Sequence, residues 1–122
     1  MENRKISHIE ISATDREKQS TFYASIFGWD IKNMDHTGAE YTVWQSGNMR
    51  GGFAPVGDDN KRGDVIVYLH SDDIEADLEK IEANGGKILK AKTPYPAGWF
   101  AYFEDPTGNR LGLTTLAKKT ED

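Results

Sequence analysis

Two strand-like stretches carry side chains capable of proton chemistry. His8 and Glu10 stand two apart in Ile6-Ser7-His8-Ile9-Glu10-Ile11, and Tyr68 and His70 stand two apart in Val65-Ile66-Val67-Tyr68-Leu69-His70. On an extended strand, residues two apart share a face. An imidazole beside a carboxylate can exchange a proton with a bound molecule. A phenol and a second imidazole can do the same, or hydrogen-bond a polar ligand. His8 and Glu10 are therefore the candidate catalytic pair, and His8, Glu10, Tyr68 and His70 are candidate ligand-binding residues. This spacing recurs often by chance, so the pattern gains meaning only from the elements that position it.

The first stretch alternates strictly, with Ile9 and Ile11 opposite His8 and Glu10, as in a half-buried strand. Thr14 and Glu17 have the spacing of a capping box, which predicts a helix to Phe27 with Phe22, Tyr23, Ile26 and Phe27 on its buried stripe. Gly28 suits the left-handed stop. Strands are predicted at Trp29–Lys32 and Glu40–Trp44, with a tight turn at Gly47-Asn48 and a return over Met49–Ala54. The polar stretch from Pro55 to Gly63 reads as a linker. The order then restarts with a strand over Val65–His70 and a capping box at Asp72 and Glu75. Ile74, Leu78 and Ile81 mark a helix face, and Asn84-Gly85-Gly86 a stop. A short extended Lys87–Leu89 follows, then a loop over Lys92–Ala97 with two prolines. Strands at Trp99–Phe103 and Arg110–Thr115 flank the turn Asp105-Pro106-Thr107-Gly108. The tail Lys118–Asp122 is charged and expected to be loose.

Thr14 and Asp72, Glu17 and Glu75, and Gly28 and Gly86 are each separated by 58 positions. Helix start, capping partner and stop thus recur at one offset, as in a duplicated strand–helix–strand–strand–strand unit. One face of each sheet lies under its helix, leaving the other to line a cavity. On that second face the offset places Ile66 opposite His8 and Tyr68 opposite Glu10. Val65, Val67 and Leu69 then face the second helix.

The chain has 122 residues, 11% aromatic and without cysteine, which predicts one packed domain without disulfides or thiolate–metal sites. Its net charge of −5 argues against nucleic acid or an anionic membrane as partner. No run approaches the roughly 20 apolar residues of a bilayer span. Met1–Lys5 leads into the alternating segment rather than an apolar signal core. The expectation is a soluble cytoplasmic protein.

Two segments resemble the vicinal oxygen chelate superfamily of glyoxalase I, bleomycin-resistance proteins and extradiol dioxygenases. One is Ser7–Ile11 followed by Thr21-Phe22-Tyr23-Ala24-Ser25-Ile26-Phe27-Gly28-Trp29. The other is Phe103-Glu104-Asp105-Pro106-Thr107-Gly108-Asn109-Arg110-Leu111. The resemblance implies an α+β fold in which two βαβββ modules, residues 1–56 and 63–117, form a cupped mixed sheet. It also implies a small-molecule ligand and association as a homodimer. In the metal-dependent relatives, ligands come from the first and last strand of each module. Here His8 is the only residue that matches such a position. Ile66 stands at the second, Gly112 at the closing glutamate, and Arg50-Gly51-Gly52-Phe53 offers no carboxylate. A divalent ion needs three protein ligands or more, so no metal or other cofactor is expected. Glyoxalase isomerisation and ring-cleaving dioxygenation depend on that metal and are not assigned.

The resulting expectation is a metal-free small-molecule-binding protein that takes a polar or aromatic metabolite in the sheet concavity. The alternative is a lyase, isomerase or dioxygenase-type enzyme that uses His8 and Glu10 as acid and base, or a non-standard metal site completed by a second chain, His36 or His70. If the Asp105–Gly108 turn is a simple hairpin, Trp99, Ala101, Phe103, Arg110 and Gly112 share the pocket face. Trp99 and Phe103 then stack on a planar ligand, and Arg110 joins the binding set. The face of Trp44 stays open. Gly51, Gly52 and Gly112 leave room for a bulky guest.

Overall fold

The computed structural model describes residues 3–34 and 41–116. His36, the Glu40 that begins one expected strand, and the tail Lys118–Asp122 lie outside the described residues. The elements run β1 (Ile6–Ala13), α1 (Arg16–Phe27), β2 (Asp30–Asn33), β3 (Thr42–Ser46), β4 (Met49–Pro55), β5 (Val65–His70), α2 (Ile74–Ala83), β6 (Lys87–Tyr95), β7 (Gly98–Glu104) and β8 (Arg110–Leu116). Strand–helix–strand–strand–strand occurs twice, in an α+β arrangement. Contacts divide the chain into a unit of His8–Ile66 and a unit formed by the N-terminal residues to Ser7 with those from Val67 onward.

Strand order is β2-β3-β4-β1 in the first set and β5-β8-β7-β6 in the second. Each set pairs its first strand parallel to its fourth, and its other neighbours antiparallel. The two halves therefore share one topology.

Both helices start one residue later than the capping boxes suggest. Asp15 and Asp73 are the caps, and their carboxylates accept from the N–H groups of Lys18 and Ala76. The 58-residue offset survives, because Asp15 directly follows Thr14 and Asp73 directly follows Asp72. The stops differ. Gly28 closes α1 with φ of 69°, whereas α2 ends at Asn84, two residues before Gly86. Gly86 has a packing role instead, since a Cβ there would press on Ile81 and the carbonyl of Glu104.

The buried stripe expected on α1 is corrected. No residue of this helix is buried, and Phe22, Ile26 and Phe27 are 50%, 60% and 60% exposed. Tyr23 is the aromatic residue of α1 that packs on the sheet side, stacked on Trp29 at 4.5 Å and on Phe53 at 5.7 Å. Trp29 in turn stacks on Trp44 at 4.2 Å. Trp44 thus faces the helix side, where it is 3% exposed.

In the other unit, Ile74 and Leu78 of α2 pack on Ala101, Phe103 and Leu113. The N-terminal arm is tied to the same helix. Arg4 donates from Nη1 to Asp77 Oδ2 at 2.6 Å and from Nη2 to Oδ1 at 3.0 Å, and buried Ser71 also donates to Oδ2 at 2.6 Å. The Arg4 guanidinium and the Ser71 hydroxyl hold the Asp77 carboxyl below the usual carboxylate range.

The loop expected over Lys92–Ala97 is also corrected. β6 continues to Tyr95, and Pro94 pairs with Trp99. The strand ends the order of its set and shifts register twice, between Ile88 and Lys90 and between Lys90 and Thr93. Proline is tolerated in such an edge strand because no further ladder needs its missing N–H.

Candidate functional site

Pairing within His8–Ile66 builds a polar sheet face. Glu10 lies opposite Gly52 across the parallel β1–β4 pair, and Gly52 lies opposite Val43 across β3–β4. Alternation then puts His8, Glu10, Gly52, Val43 and Tyr41 on one side of the sheet. Ile9, Ile11, Phe53 and Trp44 fall on the other, in the core with Tyr23 and Trp29.

Three polar groups meet on that face. His8 Nε2 lies 3.0 Å from Glu10 Oε1 and 3.0 Å from Tyr41 Oη, and Tyr41 donates to Glu10 Oε1 at 2.7 Å. The side chains of His8 and Glu10 are 24% and 15% exposed. Glu10 Oε2 is buried and has no hydrogen-bond partner among the described residues. A bare buried carboxylate oxygen costs free energy, so the cluster holds acceptor capacity in reserve. Tyr41 is the member that sequence reading missed.

The glycines expected to leave room are filled from within, though only Gly52 lies on this face. A Cβ on Gly52 would collide with the phenol of Tyr41 and with Glu10 Oε2. One on Gly51 would strike Trp44 and the carbonyl of Ile9, and one on Gly112 would strike the ring of Tyr68. The room expected there for a bulky guest is taken by the protein's own rings.

In the other unit, Tyr68, His70, Gly112 and Thr114 share the side away from α2, as their cross-strand pairs require. Tyr68 is buried and donates to Tyr102 Oη at 3.1 Å. Arg110 stands on the same side, its guanidinium 5.0 Å from the centre of the Tyr102 ring. His70 Nε2 lies 2.8 Å from Asp72 Oδ1 at an exposed position.

The expected face of Trp99 and Phe103 is wrong. Glu104 pairs with Arg110, so Tyr102 lies opposite Gly112 while Phe103 lies opposite Leu111. Phe103 is buried under α2 with Ile74, Leu78 and Leu113. Trp99 stands on that helix side too, 38% exposed, with Lys92 Nζ 5.1 Å from its ring centre. Neither ring shares the Gly112 side. Phe100 and Tyr102 do, with ring centres 5.3 Å apart.

The cause is one residue of turn length. Asp105 draws Asn109 into the turn. Its Oδ1 accepts from the N–H groups of Thr107 at 3.0 Å and Asn109 at 2.9 Å, and the Asn109 amide donates to Oδ2 at 2.9 Å. The backbone N–H of Asp105 donates back to the Asn109 carbonyl at 2.8 Å. A slip of one residue exchanges the faces of a whole strand. The same bonds hold the Asp105 carboxyl below the usual range, with the Asn109 N–H the main cause. The Asp-Pro-Thr-Gly-Asn segment is a turn device.

Paired βαβββ units of this topology define a glyoxalase-like fold, and comparison with known proteins agrees. Residues 5–113 match the family model described as Glyoxalase/Bleomycin resistance protein/Dioxygenase superfamily. The chain belongs to that superfamily. A glyoxylase-like domain-containing protein of Didymella fabae is 31% identical, over 94% of this chain and 96% of its own length. Among solved structures, a hypothetical protein from Bacillus halodurans C-125 superimposes with TM-score 0.74 at 14% identity, covering 99% of this chain and 100% of that one. Methylmalonyl-CoA epimerase from Mycobacterium tuberculosis gives 0.67 at 12% identity, covering 92% and 87%. At such identities the structural likeness establishes the fold alone. No described helix is long and apolar enough to cross a membrane.

The described residues do not fit the divalent ion of the metal-dependent relatives. No three His, Cys, Asp or Glu side chains converge among the described residues. His8 Nε2 and Glu10 Oε1 lie within hydrogen-bond reach of each other and of a phenol, and the seats at Gly52 and Gly112 are covered by Tyr41 and Tyr68.

Proposed function

We propose that this protein binds a small polar or aromatic metabolite on the sheet face that carries His8, Glu10 and Tyr41, without the metal centre of its metal-dependent relatives. The observation that carries the reading is the closed triangle of imidazole, carboxylate and phenol, half-buried on the side of the sheet away from α1. Partly desolvated polar groups favour an unbound fold only when satisfied, and here one carboxylate oxygen is left over. A ligand that offers a hydroxyl or another hydrogen-bond donor can complete such a cluster. The protein is taken to act as a cytoplasmic homodimer, the oligomer being read by light scattering.

A second reading is supported by the 3.0 Å contact between His8 Nε2 and Glu10 Oε1. A carboxylate that orients an imidazole is the arrangement of a general base. His8 would take a proton from a carbon next to a carbonyl, the carbonyl oxygen would accept the electron pair, and return of the proton would complete an isomerisation. That an epimerase shares the fold suggests this reaction class as the first to try.

The test is an amide NMR titration of chelator-treated protein with catechol, lactate and metal-free bleomycin. Saturable shifts at residues 8–10, 41 and 52 from at least one probe support the reading. Shifts confined to other surfaces, or none, overturn it. For the second reading, His8→Ala should abolish deuterium exchange into a carbon-acid probe while leaving its affinity within a few-fold.

A further inference from the structure

We propose that the exposed face of α1 formed by Phe22, Ile26 and Phe27 is the surface through which two copies of this chain associate. The inference rests on the homodimer reading and gives it a surface. The three residues are 50%, 60% and 60% exposed. Phe22 and Ile26 stand one turn apart on the same side of the helix, and the rings of Phe22 and Phe27 meet edge-on at 6.2 Å. The apolar patch is therefore continuous. Thr21, Ala24 and Ser25 are exposed around it and are all small. Large apolar side chains gathered on one exposed face mark a contact surface. Association there also accounts for a helix that buries none of its residues within one chain.

Charge selects a second copy as the occupant. The chain carries a net charge of −5, so two copies repel where their charged surfaces meet. From Gln19 to Trp29 no residue is charged, and two α1 faces can meet without that repulsion. The cations of α1, Arg16 and Lys18, stand only at its start, whereas a helix that lies on an anionic membrane carries Lys and Arg along its polar face. Size agrees. A large ring presents on the order of 200 Å², so three side chains about half-exposed leave roughly 300 Å² of apolar surface on each copy. With the small residues around them, two facing patches bury on the order of 1,000 Å², the lower range for a specific interface. The dimer is accordingly weak and concentration-dependent. A two-fold axis sets the same patch against itself. With Phe22 beside the axis and the helices antiparallel, Ile26 meets the stem of the partner subunit's Lys18, each one turn from Phe22. A lysine stem covers apolar surface while its ammonium stays in water.

The experiment is sedimentation velocity of wild type, Ile26→Glu and Phe22→Glu over a wide range of concentration, at low and at high salt. Wild type should dimerise as concentration rises, and more strongly in high salt, which screens the like net charges. Each glutamate variant sets like charges across the axis and should weaken association about tenfold or more, with its far-ultraviolet circular dichroism unchanged. The chain has no cysteine, so Ser25→Cys supplies a single thiol on this face. A short bismaleimide should join two such protomers at dimer-forming concentration. It should not join two copies of Thr107→Cys, whose thiol stands on an exposed turn of the other unit. The cross-linking decides even if a glutamate variant does not fold. A wild type that stays monomeric overturns the homodimer reading and this assignment together. A dimer that either folded glutamate variant leaves intact, that loosens with salt, or that cross-links through residue 107 and not residue 25 overturns this assignment alone.

Discussion

The phenol of Tyr41 lies in the space that a side chain on Gly52 would fill. From there its hydroxyl reaches Glu10 Oε1 at 2.7 Å and His8 Nε2 at 3.0 Å. A residue without a side chain on β4 is therefore what lets a residue just before β3 join a pair on β1. The relation is steric, and a double-mutant cycle measures it.

Gly52→Ala should destabilise the fold by about 1–3 kcal/mol, the usual cost of an extra methyl in filled space. In a Tyr41→Ala background most of that cost should vanish, giving a coupling of roughly 1 kcal/mol or more for contacting residues. Urea denaturation of the four proteins reads it. An equal penalty in both backgrounds would show that the phenol is not what Gly52 accommodates.

Phe103→Ala should cost about 3–5 kcal/mol, as for a large ring removed from a core, because Phe103 is sealed beneath Ile74 and Leu78. Trp99→Ala should cost far less, since 38% of that residue is exposed. Denaturant midpoints compare the two. A small effect of Phe103→Ala together with altered probe binding would return that ring to the ligand face.

Asp77→Asn should destabilise the protein at neutral pH by about 1–3 kcal/mol, because it weakens the bonds to Arg4 and leaves buried Ser71 with a poorer acceptor. The folded-state pKa of Asp77 is depressed. Its contribution is therefore present in full above the ordinary value of 3.8 and is lost as pH falls through the lower folded value. The stability gap between wild type and variant should close in that acid range. A gap independent of pH would contradict the ion-pair account.

Asp105→Ala should lower the melting temperature by releasing the Thr107 and Asn109 N–H groups. Because the folded pKa of Asp105 is also depressed, the variant should lose less stability on acidification than wild type does. The Gly112 face should also lose order, seen as weaker near-ultraviolet circular dichroism from Tyr102. Unchanged melting and an unchanged acid profile would show that the turn is set by Pro106 and Gly108 alone.

The order of elements was legible because their signals are local. Ile6 to Ile11 alternates within six residues, and an acidic cap precedes each helix. Boundaries were less so, since Thr14 and Asp15 are adjacent cap formers and only backbone geometry selects Asp15. β6 was hidden by Pro94, which reads as a breaker until its place at a sheet edge is known. The face of β7 was hidden by Asn109, whose capture by Asp105 lengthens the turn by one residue. For the site, the His8–Glu10 contact could be read from spacing on one strand. Tyr41 could not, because 31 residues separate it from Glu10 and only the pairing of β3, β4 and β1 brings them together. The adjacent Gly51-Gly52 was the available signal, and it marked seats for the protein's own aromatic rings.

The central claim, that His8 serves a ligand-binding face rather than a metal centre, is tested most directly by calorimetric titration of chelator-treated wild type and His8→Ala with zinc, manganese and nickel. The account predicts overlapping isotherms for the two proteins with each ion. A saturable one-to-one isotherm in wild type that His8→Ala abolishes would contradict it.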